Sequence, residues 1–259
     1  MFDTHTHLDQ EEFDADRQAV IDRATQAGVE AILCAAVSAD SSDASVRIAA
    51  SNPKVYAAVG IQPNCCGEAA PDDWDRIVRL VDQPKVVALG ETGLDRHWDF
   101  TPFDLQQDYF DRHLRLAAEH DLPVIIHCRE AEEDLMPMLR EAAARRPLRG
   151  VLHAFSGDEA MAAECLRLGL HVSFAGMVTY RNKKFATLRA AAATIPNDRL
   201  LTETDSPYLV PHPLRGKQRR NEPAEIVHTV RCLAELRGVD PAQLAATTTA
   251  NARRLFRID

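Results

Sequence analysis

The chain has no run of about 18 consecutive apolar residues, the length a bilayer-spanning helix needs, so no transmembrane helix is expected. An excess of basic residues is also missing. The 39 acidic side chains outnumber the 30 basic ones, and a formal charge of −9 disfavours indiscriminate adhesion to nucleic acid or an anionic membrane surface. Any cationic site must therefore be local. Cysteine is sparse: six residues scattered over 259 do not make the dense framework of a small secreted protein, and a reducing cytoplasm is the expected address. The adjacent Cys65 and Cys66 are poorly placed to bridge each other and read as an ordinary loop. There is neither a glycine-rich dinucleotide loop nor a serine nucleophile elbow. The opening Met-Phe-Asp-Thr-His-Thr-His carries an acid where a secretory leader carries basic residues, so a mature start at residue 1 is expected.

What is present is the balance of a globular protein, 46% hydrophobic and 27% charged. Short runs rich in Val, Ile and Leu alternate with segments of helical period. Strands are expected at 1–7, 29–36, 55–61, 86–91, 123–127, 150–153, 171–174 and 199–203. Helices are expected at 14–27, 41–52, 72–82, 104–120, 130–146, 158–168, 183–194 and 223–237. Eight βα units in a chain of this length match a (β/α)8 TIM barrel, with an open doubly wound sheet as the alternative. No linker or composition break divides residues 1–259, so a single domain is expected, with 241–256 as a closing helix.

A barrel enzyme keeps its chemistry where strands end, and five of the eight expected strand ends carry residues able to ligate a metal. His5 and His7 close the first strand, Glu91 the fourth, His127 the fifth and His153 the sixth, while Asp205 follows the eighth. Residues i and i+2 of a strand project to one face, so His5 and His7 can reach one ion. Ten histidines placed at random would give roughly 0.4 such pairs, so the pair alone is equally a pair of core or surface histidines. Glu91, taken singly, is equally a partner for some arginine, and Asp205 a turn cap. Four imidazoles and two carboxylates at one mouth are hard to explain as core filling. Six donors exceed what one tetrahedral ion takes, which points to two divalent cations with Glu91 bridging them. Mixed nitrogen and oxygen donors suit Zn, Mn, Fe, Co or Ni better than Mg. Hydrolysis by metal-activated water follows from such a site, with Asp205 placed to accept or relay the proton.

These residues sit in an ordered set of motifs: Asp3-Thr-His-Thr-His-Leu-Asp9, Gly90-Glu-Thr-Gly-Leu-Asp95, His127-Cys-Arg129, His153-Ala-Phe-Ser-Gly157, Thr202-Glu-Thr-Asp-Ser-Pro-Tyr-Leu209, Arg215-Gly-Lys217, Asn221-Glu-Pro223 and Asn251-Ala-Arg-Arg-Leu-Phe256. The set resembles, end to end, the TatD-type metal-dependent hydrolases, often described as deoxyribonucleases. The resemblance implies His5, His7, Glu91 and Asp205 as ligands of a first metal and Glu91, His127 and His153 as ligands of a second. It also implies Glu91 and Asp205 as catalytic groups, with Asp9 and Asp95 as carboxylates that orient the ligating histidines. Two positions depart from the family pattern. Gln62 stands where Gly-x-His-Pro would place a substrate-contacting histidine, and Arg96 stands where a tyrosine is common. A neutral amide donates a hydrogen bond but carries no cationic proton.

The expected substrate carries phosphate, with the 3′ end of single-stranded DNA foremost. Arg215 and Lys217 lie in a basic stretch after the eighth strand, and Arg181 to Lys184 form another after the seventh; each is either a cationic rim or a solvated loop. Only 6% of residues are aromatic, and Trp98, Phe100 and Tyr180 are the loop candidates for base stacking. The remaining histidines, among them His97, His113 and His171, read as exposed or capping. No obligate protein partner is implied. The alternatives are hydrolysis of a carbon-centred ester or amide, such as an aminoacyl ester on RNA, and a non-catalytic binding barrel.

Overall fold

The computed structural model describes residues 1–258. Eight strands follow one another as β1 (Phe2–Thr6), β2 (Ala31–Ala35), β3 (Val55–Val59), β4 (Val86–Asp95), β5 (Val124–Arg129), β6 (Gly150–Leu152), β7 (His171–Phe174) and β8 (Leu200–Thr202). They lie in one sheet in sequence order. Between them come α1 (Arg17–Gln26), α2 (Ala39–Ser51), α3 (Asp73–Leu80), α4 (Phe103–His120), α5 (Glu132–Arg145), α6 (Glu159–Arg167) and α7 (Ala186–Thr194), followed by α8 (Ile226–Arg237) and α9 (Pro241–Phe256). Parallel neighbours joined by helical crossovers in strict sequence order make the (β/α)8 barrel that the residue pattern implies. Among the described residues, no helix is long and apolar enough to cross a membrane.

Contacts gather the chain into two compact units. The first comprises Met1–Leu33, His153–Leu166 and His171–Asp259. Within it β7 pairs in parallel with β8, Val172 opposite Leu200 and Phe174 opposite Thr202. The chain leaving β8 then joins β1: the Asp205 N–H donates to the His5 carbonyl at 2.9 Å, and the His7 N–H donates to the Ser206 carbonyl at 2.8 Å. The α9 helix closes over these strands. Asp240 caps its start by accepting the N–H groups of Ala242 and Gln243, Pro241 supplies the first-turn residue, and the Asn251 side chain donates to the Leu200 carbonyl at 3.0 Å. Arg220 of the basic stretch after β8 is absorbed here, pairing with Asp16 at 2.8 Å and Glu222 at 2.7 Å.

The second unit comprises Cys34–Leu152 and Arg167–Leu170. Its strands β3 to β6 pair in parallel. Expected to end at Glu91, β4 runs on to Asp95, because Thr92 to Asp95 continue the ladder opposite Ile126 to Arg129 of β5. Leu89 faces Val124 while Thr92 faces Ile126, so one extra residue is inserted at Gly90-Glu91. Such a bulge re-aims a side chain, and here the side chain is Glu91. The following Gly93 is dictated by space. Its φ is +139°, and a Cβ there would stand 2.0 Å from the His127 carbonyl oxygen.

The sequence expectation fails for two histidines, since His113 and His171 are both buried. The ring of His113, on α4, has no exposed surface: Nε2 accepts the Ile61 N–H at 3.0 Å and Nδ1 donates to the Tyr109 carbonyl at 2.7 Å. It thus pins the segment leaving β3. Helical period alone does not show which imidazole a neighbouring loop will need.

Two outcomes follow from this packing. Gly93→Ala should lower stability to urea by about 2–4 kcal/mol, since both the backbone angle and the approach to β5 forbid the methyl group. A melt within 0.5 kcal/mol of the parent, a change of about the size expected for a neutral surface site, would contradict this account. Burial holds the His113 imidazole down at about 4 from its usual 6.5. As pH falls through 6.5 the unfolded chain takes up a proton that the native ring refuses. His113 therefore removes stability between pH 6.5 and about 4, with a slope of about 1.4 kcal/mol per pH unit. Urea midpoints measured from pH 7.5 down to 5 should fall more steeply for the wild type than for His113→Gln, and parallel curves would refute the assignment.

Candidate metal centre

In the first unit, β1 carries Asp3, His5 and, just past its end, His7 on one side by strand alternation. Asp3 and His5 have no exposed surface and His7 is 3% exposed. The Nε2 atoms of His5 and His7 are 3.2 Å apart, and the Asp205 carboxylate lies 3.7 Å from the first and 3.4 Å from the second. The His153 ring stacks on that of His5 with centroids 3.8 Å apart and planes within 8°. Donor atoms of His5, His153 and Asp205 all lie within 4.8 Å of one another. Burial alone would push the Asp205 carboxyl up, but a hydrogen bond from His7 and the charges of His5, His7 and His153 outweigh it and hold it below the usual carboxylate range. Its backbone sits at φ +56°, in the left-handed region that aspartate tolerates better than most residues.

The strand-end segment is itself held by buried groups that motif reading passes over. Asp3 accepts the Thr204 N–H at 2.9 Å and its hydroxyl at 2.6 Å, and Asn221 donates to the Thr204 carbonyl at 2.9 Å. Burial pushes the Asp3 carboxyl well up from its ordinary value, and the Thr204 hydrogen bonds only partly oppose this. Glu203, with no exposed surface, accepts the Ala154 N–H at 2.6 Å and lies 3.4 Å from His153 Nδ1. Its second oxygen, buried, has no hydrogen-bond partner. The signal was available in Glu203 and Asp205, two carboxylates spaced i, i+2 just past β8, the spacing that His5 and His7 have at the end of β1.

In the second unit, Glu91 projects from the β4 bulge and lies 2.8 Å from His127 Nδ1. His127 Nε2 is 2.9 Å from Asp95, which also accepts the Asn64 amide at 3.0 Å. Burial opposes the Asp95 charge, yet the His127 and Asn64 hydrogen bonds overcome it and hold the carboxyl at about 2. A neutral imidazole has one N–H, so with carboxylate oxygens against both nitrogens one contact sets a lone pair against an oxygen. Two electron donors at 2.8 Å repel each other unless a proton or cation lies between them, so the pair fits a shared metal. The buried nitrogen and oxygen donors around Asp205 fit one for the same reason.

Gln62 is half-buried, and its side-chain oxygen accepts the Asn64 N–H at 2.9 Å, capping the 3-10 turn Pro63–Glu68. Cys65 lies three residues on, its thiol pushed up to about 11 by burial and by the Glu91 and Glu68 charges. Asp9 is half-buried, its carbonyl accepting from Arg17. Arg215 and Lys217 are exposed, the Arg215 guanidinium lying 4.2 Å over the Tyr180 ring.

The family model described as "TatD related DNase" matches residues 2–257. The chain belongs to the TatD family. It is 40% identical over its full length, and over the full length of the relative, to a Bacillus subtilis protein named "Uncharacterized metal-dependent hydrolase YabD". It is 38% identical over all of its length and 98% of the relative's to the Citrobacter rodentium protein named "3'-5' ssDNA/RNA exonuclease TatD". The crystal structure of YJJV, a TatD homologue from Escherichia coli K12, superposes with a TM-score of 0.93 at 31% identity, covering 100% of this chain and 98% of the other. This TatD family member is thus a metal-dependent hydrolase on a (β/α)8 barrel.

Asp95 lies against His127 and Glu203 against the turn that carries His153, so Asp95→Ala and Glu203→Ala should each weaken binding of a divalent metal by about 10–100-fold, measured by competition with a chelator. Metal affinity unchanged in either variant would remove that residue from the centre's support.

Proposed function

We propose that this TatD family member hydrolyses phosphodiester bonds from the 3′ end of single-stranded DNA or RNA, using two divalent cations. His5, His7, Glu91 and Asp205 would hold the first, and Glu91, His127 and His153 the second, with Glu91 shared. The observation that carries this reading is the buried His5, His153 and Asp205 group, whose donor atoms lie within 4.8 Å of one another at the ends of β1, β6 and β8. The Glu91–His127 pair on the neighbouring ends of β4 and β5 supplies the second set. The printed activity of the Citrobacter relative gives the substrate class.

Bound cations supply Lewis acidity, lowering the pKa of water and offsetting charge on the attacked and leaving oxygens. The chain's own groups do the rest. Asp205, kept ionised by the imidazoles around it, accepts the proton of the attacking water. Asp95 fixes the His127 tautomer, and Glu203 holds the turn that carries His153. Gln62 commits its oxygen to the turn it caps and keeps its amide N–H groups to donate to a substrate oxygen. Arg215 and Lys217, exposed after β8, attract the anionic strand. The whole chain acts as one catalytic domain, and its six scattered cysteines suit a reducing cytoplasm. Gln62, a neutral amide where a cation would suit phosphate, favours one second reading, hydrolysis of a carboxyl ester by the same machinery.

Elemental analysis of protein purified without added ions should find two equivalents of a transition metal. A 3′-labelled single strand should then be shortened stepwise, with chelator abolishing the activity and metal restoring it. Asp205→Asn should lower kcat by about 10²–10⁴-fold. Intact strands alongside a cleaved carboxyl ester panel would select the second reading, and no metal uptake at all would sink both.

A further inference from the structure

Two large rings stand in solvent directly beyond β4. Phe100 is 62% exposed and Trp98 44%, although rings of this size usually gain by burial. They are neither splayed nor loose. Their centroids are 5.2 Å apart with planes within 9°, so they form one flat stacked pair. The His97 ring meets Trp98 edge-on at 4.7 Å and is itself 2.8 Å from Glu130. The Arg129 guanidinium lies 5.6 Å from the centre of the Trp98 ring. The backbone beneath is anchored as well, since Asp95 accepts the N–H groups of His97 at 2.8 Å and Trp98 at 3.1 Å. That carboxylate also holds His127.

We propose that Trp98 and Phe100 form a stacking platform for a nucleobase of the single-stranded substrate, with Arg129, which lies over the Trp98 ring, taking a backbone phosphate. The proposal rests on the nuclease reading above and names where that substrate is gripped. Trp98 already has Phe100, His97 and Arg129 against it, so the open surface is the outer face of Phe100. An aromatic stack that carries a guanidinium over its Trp98 ring and leaves a flat face open on Phe100 complements a base with its phosphate better than it complements an aliphatic side chain. Every base offers a π-face, so such a platform grips a strand without reading its sequence. It lies on the same β4–β5 pair that carries Glu91 and His127, and Asp95 ties the two together.

The test compares a short oligothymidylate with an abasic strand of equal length and charge, both ended with a phosphorothioate to resist cleavage and both titrated into metal-loaded enzyme. A Trp74→Phe variant leaves Trp98 as the sole tryptophan, and its emission reports on the platform directly. The base-bearing strand should bind about tenfold more tightly and change Trp98 emission more than the abasic one. Phe100→Ala should erase the difference between the strands, while Phe100→Tyr, which keeps the ring, should preserve it. Equal Kd values for the two strands on the parent enzyme, with ordinary strands still degraded, would overturn the platform and leave the nuclease reading standing. Failure to bind or degrade either strand would overturn both.

Discussion

The arrangement depends on how the chain copes with burying charge at strand ends. An unpaired carboxylate or imidazolium removed from water costs several kcal/mol, and this chain buries Asp3, His5, His7, Glu91, Asp95, His153, Glu203 and Asp205. Such a collection is tolerable only if each group meets a partner. Part of the answer is internal: burial raises the Asp3 pKa toward the neutral form and Thr204 donates to its oxygens, while Asp95 is matched to His127 and Asn64. The rest of the donors face one another. Imidazole against imidazole and carboxylate against a nitrogen lone pair are costly as a bare arrangement and favourable around a cation. A cation bound among them would satisfy donors that the fold has already desolvated, and would thereby couple metal binding to folding stability.

Position within the strands decides which groups are ligands and which are supports. Along β1, alternation sends Asp3, His5 and His7 to one side, and only Asp3 lies deep enough to reach Thr204. Along β4 the regular period would not deliver Glu91 and Asp95 as they stand; the bulge at Gly90-Glu91 resets the alternation, and Asp95 then meets His127 from the extended ladder. Gly93 is the condition for that extension, since any side chain there would push β4 off the His127 carbonyl. A packing constraint on one glycine thus becomes a constraint on the contact between Asp95 and His127.

Most of this was legible from residue order. The eight short apolar runs gave the strands to within a few residues, and the 241–256 segment stands as α9 because Asp240, Pro241 and the apolar positions of Leu244, Ala252 and Leu255 all agree. The candidate ligands stood out because four histidines and two carboxylates fall together at the expected strand ends, each of which taken singly has another explanation. What was hidden depends on contacts between segments distant in sequence. Neither the run of β4 to Asp95 nor its bulge has a periodic signature, as both are set by the register against β5. His113 looked like a surface residue on a helix because its partner, the Ile61 N–H, lies 52 residues away. Glu203 was masked by Asp205, the more obvious acid two residues on.

The same coupling explains why substrate contacts are less legible than metal ligands. A ligand must satisfy an ion of fixed chemistry, so its residue type is nearly dictated. A substrate contact need only offer a compatible surface, and several residue types will do. Gln62 shows this: its side-chain oxygen is used to cap a turn, a local duty that also fixes the direction of its amide. Arg220 shows the converse, a cation in a basic stretch that is committed to Asp16 and Glu222 and so is withdrawn from any strand. Charge counted along a sequence therefore overstates the cationic surface on offer, and the groups left to meet a polyanion are those, such as Arg215 and Lys217, that the fold leaves exposed.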